Sequence, residues 1–118
     1  MTLPAGWKID PESVVQAYRE KGLRPKRGDV KGRCMCALDA LEYDADTGMC
    51  EGRALPAAFV DGFVDGFDNH APVDLRRAWA GAGVSDAALA EYAAEYATGY
   101  ANGQAVAQHV GATLGWEG

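Results

Sequence analysis

The feature that most constrains the fold is an internal repeat of aromatic residues and glycines. Segments 59–66 and 96–103 share one pattern, in which an aromatic residue, two further residues and a glycine are followed by the same unit again. Each glycine inside a helix costs about 1 kcal/mol relative to alanine, so four matched glycines require a compensating interaction. Glycines four residues apart lie on one helix face and let a second helix approach until the backbones touch. The members of the repeat are Phe59, Gly62, Phe63, Gly66, Tyr96, Gly99, Tyr100 and Gly103.

The repeat predicts a pair of GxxxG-like helices at the core of the protein. Apolar residues between positions 59 and 67 recur at three- and four-residue spacing, which is the helical period. Because the chain carries both segments, packing within one subunit is favoured over packing between copies, and both a monomer and a homodimer stay open. A structural role for the repeat is favoured over a cofactor groove.

Local start and stop signals delimit the remaining helices. Asp10 is a suitable N-cap, Pro11 suits the first helical position, and Gly22 is a typical left-handed C-terminal residue, so the first helix is predicted at 11–21. A basic loop is predicted over 22–33, and for residues 29–31 within it the alternative is a short strand. The further predicted helices are 34–43, 56–69, a short one at 74–80, and a long one at 86–112.

The long last helix raises a geometric question. Unbroken from 86 to 112 it would measure roughly 40 Å, which exceeds the expected width of a domain of this size. It therefore either kinks, with Gly99 and Gly103 as weak points, or projects from the body. The whole prediction is an all-α, single-domain bundle of about four to five helices that spans residues 1–118.

Composition restricts the class of protein. A chain of 118 residues with 48% hydrophobic and 24% charged residues fits one globular domain and argues against disorder. No run of about 18 apolar residues occurs, because Asp61, Asp65 and Asp68 interrupt the most hydrophobic segment, so no membrane span is expected. The first ten residues lack the pattern of a secretory signal, which predicts a cytoplasmic protein. The alanine- and glycine-rich composition is typical of a bacterial or phage coding sequence.

Charge is concentrated between residues 19 and 33. Seven basic residues stand there against Glu20 and Asp29, giving +5 and leaving −11 on the rest of a chain whose net charge is −6. Such a segment either contacts a polyanion or lies across its own acidic body, and the second interpretation is favoured. With a pI near 4.7, the chain offers nucleic acid only this loop. The candidate basic binding residues are Arg24, Lys26, Arg27, Lys31 and Arg33.

Three acidic residues form a second candidate surface. Asp61, Asp65 and Asp68 recur at i, i+4 and i+7 on one helix face, where they can meet a protein partner or imitate the charges of nucleic acid. Facing carboxylates can also hold metal ions, but the Glu-x-x-His element of di-iron helices is absent. A solvated acidic face is therefore favoured, and no metal or other cofactor is predicted.

The strongest catalytic hypothesis concerns a cysteine. Cys34 is predicted at a helix N-terminus beside Arg33, where the dipole and the guanidinium both lower the pKa of a thiol, and His70 or His109 would serve as the base. The same histidines with Cys34 and Cys36 supply zinc-ligand residue types, although the spacing is not that of paired ligands. Together with Cys50 the cysteines form an odd set, which favours reduced, structural thiols in an intracellular protein.

These observations favour a function in binding over one in catalysis. The sequence carries no phosphate loop, dinucleotide fingerprint or serine elbow. We therefore expect a non-catalytic, regulatory or inhibitor-type protein that binds another macromolecule, with a protein as the favoured partner. The alternative is a cysteine-dependent enzyme or small metal-binding protein that uses Cys34 and Cys36 with His70 or His109.

Overall fold

The computed structural model describes residues 3–27, 54–74, 77 and 85–117. All long regular elements in these residues are helices, as the all-α prediction requires: α1 at Pro11–Lys21, α2 at Ala54–Phe67 and α3 at Asp86–Leu114. In this part of the chain none of the helices combines the length and the apolar character that crossing a bilayer requires. The predicted helix at 34–43, most of the one at 74–80, and the alternative strand at 29–31 lie outside the described residues.

Helix α1 covers the residues that its terminal signals predicted. The Asp10 side chain accepts a hydrogen bond from the backbone N–H of Glu12 at 3.1 Å, which satisfies one of the free donors of the first turn. At the other end Gly22 adopts a left-handed conformation with φ of 67°, and its N–H donates to the carbonyl of Arg19 at 3.1 Å. Because both caps use neighbouring residues, the sequence alone was sufficient to locate them.

Helix α2 begins and ends two residues earlier than the predicted 56–69. The early end follows from Asn69, which takes the left-handed conformation (φ 62°) that glycine usually supplies after a helix. The next N–H, that of His70, then donates back to the carbonyl of Asp65 at 2.9 Å, which closes the last turn.

Helix α3 is one continuous helix of 29 residues, two residues longer than predicted. It ends at Gly115, whose φ is 74° and whose N–H donates to the carbonyl of Gly111 at 2.9 Å. The helix passes without interruption through Gly99 and Gly103, the expected weak points. The space beside both glycines is filled by the backbone of α2, which supports the helix there.

Helices α2 and α3 are in backbone contact and run in the same direction. A methyl group at Gly62 would lie less than 3.0 Å from the carbonyl of Tyr96, and one at Gly66 would meet the carbonyl of Tyr100 in the same way. Moving four residues along α2 therefore moves the contact four residues along α3 in the same sense, which makes the pair parallel.

The contact is reciprocal. Gly99 faces the carbonyl of Phe59, and Gly103 faces the carbonyl of Phe63. Since Gly62 and Gly99 are 37 positions apart, adding 37 to a residue of α2 gives the α3 residue with the equivalent contact. The two helices are thus related by a local two-fold axis that runs parallel to the pair. At each of the four glycines an α-hydrogen points at a carbonyl oxygen of the other helix, as in weak Cα–H···O hydrogen bonds.

Aromatic residues of α2 form the main hydrophobic cluster. The rings of Phe59, Phe63 and Phe67 stack in sequence with centroids 6.4 Å apart, and Trp116 meets Phe67 edge-on at 5.6 Å. Val15 of α1 is fully buried in the same cluster. Helix α1 and the residues after α3 therefore cover one flank of the α2–α3 pair. The cluster's other buried members are Val106, Ala107 and Val110.

Candidate functional site

An open groove on α1 has the mixed character of a binding surface. It has a volume of about 370 Å³ and is lined by Val14, Ala17, Tyr18, Lys21 and Leu23. The first four residues recur at i, i+3, i+4 and i+7, so they form one stripe along the helix. Leu23, just beyond the C-cap of α1, closes the end of the stripe with 58% of its surface exposed. The lining therefore combines apolar side chains with one basic side chain.

One basic residue, Lys21, lines the groove, and its side chain is exposed. Arg19 lies on the opposite face of α1, where its charge acts on Glu12. No acidic residue is among the described residues that line the groove. Lys21 forms no ion pair with any residue in the part of the chain that the structure describes. An exposed apolar side chain, that of Leu23, thus lies near a cation that has no ion pair among the described residues.

Other residues of the basic loop make internal contacts. The Arg27 guanidinium donates to the carbonyl of Phe67, the last residue of α2, and lies over the Trp116 ring at 4.0 Å from its centroid. A cation at a helix C-terminus complements the helix dipole, and the ring adds a cation–π contact. Arg27 therefore contacts the C-terminal end of α2 and the Trp116 ring within the same chain.

The loop after α1 and the residues after α3 hold each other in place. Arg24 donates to the carbonyl of Trp116 at 3.4 Å, and the Glu117 N–H donates to the carbonyl of Pro25 at 2.8 Å. Pro25 is fully buried. The predicted binding residue Lys26 is exposed between these anchors. The remaining two, Lys31 and Arg33, lie outside the described residues.

The acidic surface predicted on α2 is not a row of equivalent solvated charges. Asp61, Asp65 and Asp68 are all half-buried, and each interacts within the chain. Asp65, whose side chain is 23% exposed, accepts a hydrogen bond from the hydroxyl of Tyr96, and its other oxygen is 3.7 Å from Nδ1 of His70. The carboxylate of Asp65 is therefore directed into the protein, and it is a poor mimic of an exposed phosphate.

Tyr96 connects α3 to α2 and to the residues that follow α2. Burial raises the pKa of its hydroxyl above the usual value, and the hydrogen bond to Asp65 raises it further. The hydroxyl oxygen also accepts a hydrogen bond from the N–H of Val73 at 3.1 Å. In addition, Tyr100 donates to the carbonyl of His70. The two tyrosines thus fasten the residues after α2 against α3, and Tyr96 stays protonated to do so.

The two candidate histidines have different partners. His109 on α3 lies 2.7 Å from the carboxylate of Glu12 on α1, and this hydrogen bond lowers the pKa of Glu12. His70 neighbours Asp65 instead. Cys34 and Cys36 lie outside the described residues, so their pairing with either histidine stays a prediction. Among the described residues, no group of three or more His, Cys, Asp or Glu side chains is arranged to hold a metal ion.

Asn102 is a buried polar residue that the sequence reasoning missed. It is fully buried, its Oδ1 accepts hydrogen bonds from the N–H groups of Lys8 and Ile9 at 3.2 and 3.0 Å, and its Nδ2 donates to the carbonyl of Ile9 at 2.9 Å. The only sequence signal is its place in the repeat, 37 positions after Asp65. Asp65 and Asn102 thus hold equivalent positions in the repeat, and each forms hydrogen bonds with residues outside its own helix.

The chain has no significant match to a protein-family model, to a curated protein or to a solved structure. Its function is therefore inferred from the geometry of its own residues. The α1 groove brings exposed apolar atoms together with the charge of Lys21, which has no ion pair among the described residues.

Proposed function

We propose that this chain is a non-catalytic, cytoplasmic binding protein that presents the α1 groove to another protein. The observation that carries the proposal is the exposure of Leu23 beside Lys21 on an otherwise apolar stripe. Contiguous exposed apolar surface marks interaction sites, and Leu23 adjoins the apolar members of the groove lining. A protein partner is favoured over nucleic acid because the net charge is −6 and two of the nearby cations, Arg24 and Arg27, make internal contacts.

We further propose that α1, which carries the groove, belongs to a bundle of four to five helices built around the GxxxG-like pair. The close approach of α2 and α3 supports this arrangement, because backbone contact at four glycines leaves little freedom for the helices to move apart. The predicted helices at 34–43 and 74–80 supply the remaining members. In this protein the pair provides rigidity, and α1 provides the contact surface.

Site-specific photo-crosslinking tests the proposal. A photoreactive phenylalanine analogue at position 23 should give protein adducts in a native extract, and these should diminish as salt screens the cations. The matched control carries the same analogue at Ala101, an exposed position on α3. Absence of adducts at position 23, or the same adducts from both positions, would contradict the proposal.

A further inference from the structure

Asn102 is followed by Gly103 in α3, and this pair of residues has a specific chemical reactivity. The backbone nitrogen of the residue after an asparagine can attack Cγ of the asparagine side chain and close a five-membered ring. Glycine favours the attack most, because it has no Cβ to hinder the approach and its backbone is the least restricted. The other asparagine of the sequence, Asn69, is followed by His70, whose Cβ hinders the same step. Asn102 therefore has the greater intrinsic tendency to deamidate.

The folded structure keeps the reacting atoms apart. Both residues lie inside α3, where the helical backbone directs the Gly103 N–H along the axis toward the preceding turn. The Asn102 side chain is fully buried, and its oxygen and nitrogen both form hydrogen bonds with the main chain of Lys8 and Ile9. On the opposite helix, the carbonyl of Phe63 lies against Gly103. The ring can therefore close only after α3 has opened at this point.

The products of the reaction do not fit the place that Asn102 occupies. An aspartate has a second oxygen instead of the Nδ2 donor, and this oxygen would face the carbonyl of Ile9, to which Nδ2 donates at 2.9 Å. Two acceptors at that distance repel each other, and burial penalises the charge of the carboxylate. The other product, isoaspartate, adds a methylene group to the main chain of α3 and so disrupts the helical spacing. Either product weakens the attachment of the segment before α1.

We propose that Asn102 is a deamidation site that is protected in the folded protein and reacts once α3 opens, and that its modification makes unfolding irreversible. In the open chain the Gly103 nitrogen forms a bond to Cγ of Asn102. The bond from Cγ to the side-chain nitrogen breaks, and ammonia leaves with the proton of the Gly103 N–H. Water then adds to one of the two ring carbonyls and yields aspartate or isoaspartate. A molecule that reacts before it refolds is lost from the folded population.

Incubation of the full-length, reduced chain at one mildly alkaline pH, either folded in buffer or unfolded in guanidinium chloride, tests the site. Cleavage after arginine places Asn69 and Asn102 on separate peptides, because Arg76 and Arg77 lie between them, and mass spectrometry then measures deamidation at each. The reaction at Asn102 should be about a hundredfold slower, or more, in the folded sample, since few molecules are open at any time. Asn69, which is exposed in the fold, should react slowly in both samples.

Two variants complete the test. Gly103→Ala is compared in denaturant, because its methyl group would collide with α2 in the fold, and it should react much more slowly at Asn102 than the wild type does. Asn102→Asp reproduces one of the two products and should have a lower urea midpoint than the wild type. The incubated wild-type chain should lose refolding yield in proportion to its deamidated fraction.

The outcomes that would overturn the proposal are distinct for its two parts. Equal rates at Asn102 in the folded and unfolded samples, or a rate at Asn69 that matches the rate at Asn102 in denaturant, would refute the protected site. Full refolding of the deamidated fraction, or a wild-type urea midpoint for Asn102→Asp, would refute the irreversibility. Neither result depends on whether the α1 groove binds a protein.

Discussion

Substitution of Gly99 by alanine should destabilise the protein, although alanine is the better helix former. Gly99 lies inside α3, where helix propensity alone favours alanine by about 1 kcal/mol. The added methyl group would, however, collide with the carbonyl and Cα of Phe59 on α2. The two effects have opposite signs, so the measured stability decides between them.

The collision outweighs the gain in propensity. Inserting a methylene-sized group into a packed core typically costs 1–3 kcal/mol, and sometimes more. At Gly99 the atoms in the way belong to the backbone of a helix, which cannot rotate aside as a flexible side chain can. We therefore take a packing cost of about 3–4 kcal/mol, and subtracting the gain in propensity leaves a net loss of about 2–3 kcal/mol.

Urea unfolding followed by circular dichroism measures this loss as a lower midpoint at constant slope. For a chain of this length the melting temperature should fall by roughly 6–15 °C. The matched control is Ala101→Gly, at an exposed position two residues away in the same helix, which should cost only about 1 kcal/mol. If Gly99→Ala is as stable as the wild type or more stable, the backbone contact between α2 and α3 is refuted.

Three further predictions concern the polar contacts. Asn102→Ala should cost about 1–2 kcal/mol and speed amide exchange at Ile9, because it leaves part-buried backbone groups without their side-chain partner; unchanged exchange would exclude this anchoring role. Because the folded protein holds the pKa of Glu12 below its usual 4.5, this group adds stability above that pH and loses the contribution as pH falls through the folded-state pKa. His109→Gln should therefore flatten the dependence of the urea midpoint between about pH 3 and 5, and an identical pH profile would count against the pair. Ultraviolet titration of the folded protein should find that Tyr96 does not ionise near pH 10, and the Tyr96→Phe variant should keep the remaining tyrosine transitions; a normal transition that this variant removes would contradict the buried hydroxyl.

Features that depend on neighbouring residues could be predicted from the sequence. Both ends of α1 followed from Asp10 and Gly22, because their caps involve residues only a few positions away. The end of α2 differed by two residues because Asn69 adopts a backbone conformation that glycine adopts far more often. Single-residue propensities do not reveal which asparagine will do so.

Features that depend on long-range contacts could not be predicted in the same way. The sequence placed Asp65 on a solvated face, whereas its position against Tyr96 depends on a contact 31 residues away. The hydrogen bonds of Asn102 reach residues more than 90 positions earlier. The spacing of the glycines indicated close packing, but it contained no information on whether the two helices run parallel. That direction depends on the path of the connection between them.

The stability that the α2–α3 contact provides does not depend on the side chains at the surface of the protein. Main-chain atoms make the closest approaches between the two helices, so the identity of the outward side chains has little influence on how firmly the pair is joined. Positions such as Ala101 and Gln104, which are exposed on α3, are therefore free to diverge. A protein held together in this way can acquire new partners by exchanging surface residues, while its frame tolerates almost no change at four glycines.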